Sequence, residues 1–234
     1  MPDLVLSGDK VVDVEVAYWK EKLKDVVPLK LTADLPRPAM GNMGRAVIDF
    51  FINKELCEQL ALFSTEQDVT LLITLLSAFY VLLNRYTNQA DICIGNVVSE
   101  PGRDKTTGKF NTLALRSDIK GNDMFPDLLK QVNGIVKEAY SYQKIPFTKI
   151  INNLSKETGK DKNQFFGVIF ALVDGGYANK GQLDTAQYDL SLILEESESG
   201  IKGKLEYASG LYHAETISRM AGHYQTLLSS IVKQ

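Results

Sequence analysis

The chain has 234 residues, with 26 lysines and arginines against 29 aspartates and glutamates, a formal net charge of −3, and 44% hydrophobic and 24% charged residues. This is the composition of an ordinary globular protein with material for a sizeable core, in one large domain or two small ones, and it lacks the concentrated basic face that nucleic acid requires. Two cysteines, Cys57 and Cys93, and two histidines, His213 and His223, exclude a disulfide framework and a Cys-rich zinc site and leave little for imidazole chemistry.

The opening Met-Pro-Asp-Leu-Val-Leu has neither the basic start nor the apolar run of a signal peptide, so an intracellular, cytoplasmic protein is expected. Val16, Trp19 and Leu23 fall at helical spacing and predict a helix over about 13–25. Leu35-Pro36-Arg37-Pro38 must be extended, because each proline disfavours helix at the residue before it, so a connector runs over about 26–44. Residues 45–52 read as a strand. Asn53 is placed to cap a helix bearing Leu56, Leu60 and Phe63, and Thr70 to cap a helix over about 71–86 that is apolar nearly all round. The apolar run 71–83 is broken by Thr74 and Ser77 and falls short of the roughly 18–20 residues a bilayer needs, so no membrane span is expected. Strands follow over 91–99 and 112–117. Asp123 is read as the cap of a helix carrying Phe125, Leu128, Leu129, Val132, Ile135, Val136 and Ala139, with Pro126 in its first turn. Phe147, Ile150, Ile151 and Leu154 make a short helix. Residues 165–173 read as a strand buried on both faces, Tyr188 to Leu194 as an alternating half-buried strand, and 202–208 as its hairpin partner. Ile217, Met220, Ala221, Tyr224, Leu227, Leu228 and Ile231 form one stripe on a last helix. About six strands and six helices result, a sheet layered against helices.

Catalytic signatures are missing: there is no G-x-S-x-G, Walker loop, Rossmann glycine pattern or H-E-x-x-H. Gly200 and Gly203 read as brackets of a hairpin turn. His213 lies just before the last helix as a cap-region residue, and His223 lies on it beside Tyr224. Cys57 and Cys93 read as buried thiols. Lys156, Lys160 and Lys162, and likewise Glu195, Glu196 and Glu198, read as solvated surface. The residues alone describe a folded domain without a self-contained active site.

Several segments, in order, resemble the condensation domains of non-ribosomal peptide synthetases. Tyr18-Trp19 through Leu23 resembles Y-W-x-x-x-L, and Asp34-Leu35-Pro36-Arg37-Pro38 resembles D-x-P-R-P. Thr70-Leu71 through Leu82-Leu83-Asn84-Arg85-Tyr86 resembles T-L-x-x-x-L-L-A-A-F-x-x-L-L-x-R-Y, and Asp91-Ile92 with Ile94-Gly95 resembles D-I-x-x-G. Phe110-Asn111-Thr112 through Arg116 resembles F-x-N-T-x-x-L-R, one residue short. Tyr142-Gln143-Lys144-Ile145-Pro146-Phe147 resembles H-Q-D-x-P-F, Tyr188-Asp189-Leu190 resembles F-D-L, and Arg219-Met220 with His223-Tyr224 resembles R-M-x-x-H-F. The resemblance runs over about 17–232. Departures are a short loop over 103–111, Pro101 where an arginine is usual, Lys160 through Gly167 in place of R-D-x-S-R-x-P-L-F-Q, and a short stretch between Val173 and Tyr188.

The resemblance implies an α/β fold, a mixed sheet flanked by helices in the two-layer sandwich of chloramphenicol acetyltransferase. Condensation domains have two such lobes around a tunnel, and H-H-x-x-x-D-G, whose second histidine is tied to catalysis, closes the first. No such motif occurs here, which implies a C-terminal lobe inactive by itself, with a leading helix and connector over 1–44 and the lobe proper over 45–234. Asn111 and Arg116 are the implied tunnel residues, Asn111 as a hydrogen-bonding group. Sliding the motif along the second lobe places Ser209 at the histidine position and His213 near the aspartate, a decayed site. No catalytic residue, metal or directly bound cofactor is implied, since substrates ride on the phosphopantetheine of carrier proteins. The implied partners are the first lobe, donor and acceptor carrier proteins and an adenylation domain. Two other readings are a non-catalytic module docking carrier proteins or neighbouring domains, and a free-standing acyltransferase using His213. An exposed apolar patch is expected where the other lobe would pack.

Overall fold

The computed structural model describes residues 8–37, 43–99, 110–121, 124–160, 164–173, 185 and 187–233. Within them lie six strands and six helices, interleaved along the chain. They are α1 (Gly8–Lys22), β1 (Ala46–Asn53), α2 (Lys54–Glu66), α3 (Leu71–Thr87), β2 (Asp91–Ser99), β3 (Phe110–Asp118), α4 (Phe125–Ser141), α5 (Phe147–Thr158), β4 (Val168–Val173), β5 (Leu190–Ser197), β6 (Gly200–Tyr207) and α6 (Ala214–Ile231). The strands form one mixed sheet in the order β1-β6-β5-β4-β2-β3. β4 runs parallel to both β2 and β5, and the other neighbours are antiparallel. The β2–β4 ladder is the shortest, pairing only Gly95 with Ile169 and Asn96 with Phe170. The mixed sheet flanked by helices expected from the sequence is the architecture observed.

Register divides the side chains between two faces. Phe50, Leu194 and Phe170 share one face, where Phe50 meets Tyr224 of α6 and Phe170 meets Phe79 of α3. α3 is the centre of this layer: ten of its residues, Ile73–Tyr80 with Leu82 and Leu83, are buried. Of its buried polar groups, the Thr74 hydroxyl bonds that of Ser64 at 2.7 Å and Tyr80 donates to the Leu115 carbonyl at 2.8 Å, while the Ser77 hydroxyl has no hydrogen-bond partner among the described residues. Full burial of a ring such as Phe79 contributes on the order of 1.5–3 kcal/mol. On the opposite face Phe166 lies over Gly95, and Phe147 of α5 packs on Phe166. α1 then packs on α5, with Trp19 edge-on to Phe147.

Differences from the sequence reading have local causes. α1 begins at Gly8, ahead of the first apolar stripe residue. Asn53 caps α2 by accepting from Leu56 N at 2.9 Å, but the Thr70 side chain makes no cap bond, its place at the helix entrance being fixed by backbone bonds from Ile73 and Thr74. Asp123 lies outside the described residues, and the N-cap position of α4 is Met124. β5 is buried continuously from Leu190 to Leu194, because it sits mid-sheet between β4 and β6 with both faces covered. Gly203 is in the body of β6, directly beneath the Phe50 ring, and only Gly200 borders the turn at 198–199, as the first residue of β6 at φ +139°. Cys57 is only half-buried, while Cys93 is inside the sheet.

Candidate functional site

Three places collect the polar side chains singled out in the sequence. The first is where β2 ends and β3 begins. Asn111 is 7% exposed there and faces the turn between α4 and α5. Its amide donates to the Gln143 and Ile145 carbonyls, at 3.5 and 3.4 Å, and its carbonyl accepts from Phe147 N at 2.9 Å and from Thr112 N at 3.0 Å. Glu15 of α1 completes the clamp by accepting from Lys144 N at 3.2 Å and Ile145 N at 2.9 Å, and the Trp19 indole donates to the Tyr142 carbonyl at 2.9 Å. Part-buried turn backbone is thus paired with side chains 32 to 130 residues away. Glu15 had one sequence signal: it sits four residues before Trp19, on the apolar face of the same helix. Below the turn, Asn96 of β2 is fully buried, and neither carboxamide atom has a partner of ordinary hydrogen-bond geometry. The Tyr140 hydroxyl is its polar neighbour, and burial raises that phenol's pKa.

The second place is the opposite end of the same strands. Arg116 forks onto Asp91, with Nε and Nη2 each 2.7 Å from a carboxylate oxygen, and its Nη1 donates to the Lys22 and Lys24 carbonyls at 3.1 and 2.7 Å. The carboxylate raises the guanidinium's pKa. Around it Tyr18, Glu21, Lys22, Asp118 and Glu138 line a surface cavity of about 640 Å³. Tyr18 stacks on Tyr142 at 3.9 Å, and burial raises its pKa.

The third is the β6–α6 junction. Ser209 is exposed and donates to the Met43 carbonyl at 3.4 Å. His213 occupies the N-cap position of α6 without a side-chain cap bond. Asp34 does the capping from the connector, accepting from His213 N at 2.8 Å and from the Thr216 hydroxyl at 3.1 Å. Those bonds hold its carboxyl below the usual range. Among the described residues no serine or cysteine side chain is hydrogen-bonded to the His213 ring, so no nucleophile–base pair forms there.

The four sequence candidates therefore do not converge. Asn111 and Arg116 lie toward opposite ends of β3, an edge strand, and Ser209 and His213 lie across the sheet beyond β6. The short loop over 103–109, Pro101, Lys162 and most of the stretch between Val173 and Tyr188 lie outside the described residues. The exposed large apolar side chains belong to α1 (Val14), the connector (Val27), β1 (Val47, Phe51), α2 (Leu62) and Met124.

The family profile described as Condensation domain matches residues 7–234. This chain belongs to the condensation-domain family. A linear gramicidin synthase of Brevibacillus parabrevis is 36% identical over 245 residues, a match covering 97% of this chain and 5% of that protein. The X-domain from teicoplanin biosynthesis superposes with a TM-score of 0.83 at 20% identity, covering 97% of this chain and 56% of that one; the X-domain is also described in complex with OxyB. A four-domain nonribosomal peptide synthetase bound to AMP and glycine gives 0.82 at 22% identity, covering 95% of this chain and 19% of that one. The chain thus spans a small part of the synthetase it matches in sequence and about half of the X-domain.

In this condensation domain the segments that carried the family resemblance are ties between elements. Arg37 of the connector forms an ion pair with Asp189 ahead of β5. The Tyr86 hydroxyl at the end of α3 bonds His223 Nδ1 on α6 at 2.8 Å. Arg45 donates to the Tyr188 carbonyl at 2.5 Å, and burial lowers its pKa. Gly95 is the one residue type that leaves room for Ile169, Phe166 and Thr112 at its position, since a Cβ would lie 2.4 to 2.9 Å from their side chains.

Proposed function

We propose that this chain is the C-terminal lobe of a condensation domain that forms amide bonds between carrier-protein-tethered aminoacyl or peptidyl thioesters. In that reaction the acceptor amine attacks the donor thioester carbonyl, the C–N bond forms, the C–S bond breaks and the pantetheine thiol leaves with a proton. The chemistry requires an oriented amine and stabilised charge on the tetrahedral intermediate. The histidine motif belongs to the first lobe, and this lobe supplies tunnel wall and docking surface, with Asn111, Arg116, Ser209 and His213 as its tunnel-side polar groups. The observation that carries the reading is coverage: nearly all of this chain superposes on 56% of the X-domain. The sequence adds that its two histidines are never adjacent, so H-H-x-x-x-D-G is absent from these residues. The division into a leading helix and connector over 1–44 and the lobe over 45–234 belongs to the same proposal. So do the partners (first lobe, two carrier proteins, an adenylation domain), phosphopantetheine as the substrate's carrier, and a cytoplasmic setting.

The test is dipeptide formation between two loaded carrier proteins, followed by mass spectrometry of the thioesters. The chain alone is expected to give none above buffer. Added to a separately produced first lobe from a related synthetase, it is expected to restore product. Turnover by the chain alone, abolished by His213→Ala, would favour a free-standing acyltransferase. A second reading, a docking module without catalysis, is favoured by the X-domain's complex with OxyB. Binding of carrier proteins without restored condensation would decide for it.

A further inference from the structure

The two edges of the sheet are treated differently. At the β3 edge the Arg116 side chain reaches the Lys22 and Lys24 carbonyls at and just beyond the end of α1, and Asn111 bonds the α4–α5 turn that Glu15 of α1 also holds. β1, at the other edge, has no strand beyond it among the described residues. In the antiparallel β1–β6 pair, backbone groups of alternate residues point away from β6. The Phe51 carbonyl is one of these, since it accepts from Gln225 Nε2 of α6 at 2.9 Å. By the same alternation the N–H and C=O of Val47 and Asp49, and the N–H of Phe51, face outward, and no hydrogen bond is made to them within the described residues.

Natural edges are blunted by proline, bulges, outward lysines or brevity. β1 uses none of these. It has eight residues, Ala-Val-Ile-Asp-Phe-Phe-Ile-Asn, in unbroken register with β6 from Ala46 to Asn53. On its open face Val47 and Phe51 are 46% and 44% exposed, with Asp49 between them. On the β6 side of this face Glu206, Lys204 and Lys202 stand opposite Val47, Asp49 and Phe51, and on the open side the apolar, acidic, apolar row of β1 is the outermost beside the free backbone groups.

We propose that the free edge of β1 is a strand-addition site for an extended segment of a partner protein, with apolar side chains two positions either side of a lysine or arginine that faces Asp49. Main-chain bonds to Val47, Asp49 and Phe51 supply affinity, and the alternating side chains supply specificity, as in other strand-addition complexes. A second copy of this chain is a poorer occupant. An antiparallel β1–β1 pair that sets Val47 against Phe51 also sets Asp49 against Asp49, a like-charge pair that opposes the register.

The probe is a fluorescein-labelled synthetic peptide, Thr-Val-Thr-Lys-Thr-Val-Thr, and a twin with glutamate in place of lysine. Anisotropy is expected to show saturable binding of the lysine peptide, and hydrogen exchange to slow at the Val47, Asp49 and Phe51 amides. Asp49→Lys is expected to weaken the lysine peptide at least tenfold and to bind the glutamate peptide instead. Asp49→Pro, which removes an outward N–H while leaving the β6 ladder intact, is expected to weaken both. The far-ultraviolet circular dichroism of each variant checks that it folds. Binding unaffected by either substitution, protection elsewhere on the sheet, no saturable binding at millimolar peptide, or a concentration-dependent dimer protecting the same amides would each overturn the proposal.

Discussion

Asn111 and Glu15 hold the backbone of the α4–α5 turn. Between them they accept from Lys144, Ile145 and Phe147 N–H and donate to two carbonyls of the α4–α5 turn. Asn111→Ala removes the partner of the buried Phe147 N–H and of the Gln143 and Ile145 carbonyls and is expected to cost about 1–3 kcal/mol in urea unfolding. Asp34 tests the electrostatics of capping. Its carboxyl is lowered by the His213 N–H, so its contribution is complete above an unfolded value near pH 4 and is lost as the pH falls through the lower folded value. Asp34→Asn is therefore expected to lower the urea midpoint at pH 6, and the gap to the native protein to close progressively in acid. Cys93 is buried and its thiol is pushed up to about 12 by desolvation. A thiol reagent at pH 8 is expected to modify Cys93 only when denaturant is present, while the half-buried Cys57 reacts slowly in the native state; rapid labelling of two thiols without denaturant would refute this.

At the level of elements, periodicity made nearly every helix and strand legible, because each buries one stripe and the stripe shows in the chain. The misreadings came where neighbours, not local sequence, decide. Thr70 looked like a cap but bonds nothing through its side chain, and Ser191 and Ile193 looked outward on β5 but are covered because the strand is central. The motif residues were legible as a family pattern and illegible as ties, because Arg37 and Asp189 are 152 positions apart and Tyr86 and His223 are 137 apart. Asn96 and Glu15, the buried polar groups beside the turn, carried almost no local signal. Two glycines test the packing of elements directly. Gly200→Ala places a Cβ 2.2 Å from the Ile52 carbonyl at a φ that disfavours side chains, and is expected to cost more than about 1 kcal/mol and to loosen the β1–β6 pair in hydrogen exchange. Gly95→Val forces Phe166 off the sheet and is expected to cost about 2–3 kcal/mol by the same measurement.

For the molecule as a whole, the long-range bonds describe a chain whose beginning is stitched to its end. Asp34 caps α6, the Leu211 carbonyl accepts from Asp34 N and Leu35 N, and Lys20 and Lys22 pair with Glu157 and Glu138. Cutting the backbone in the connector near residue 32 is therefore expected to leave α1 bound to the remainder at micromolar protein, read by analytical ultracentrifugation. Free separation of the two pieces would contradict it. The short β2–β4 ladder has a mechanical corollary. Four strands form one plate, β1-β6-β5-β4, and two form another, β2-β3, and only two residue pairs rivet them. Tension applied across that seam loads the fewest backbone bonds in the sheet at once. In an optical trap, with handles on β3 and β6, the first rupture would part the plates there and leave each hairpin whole.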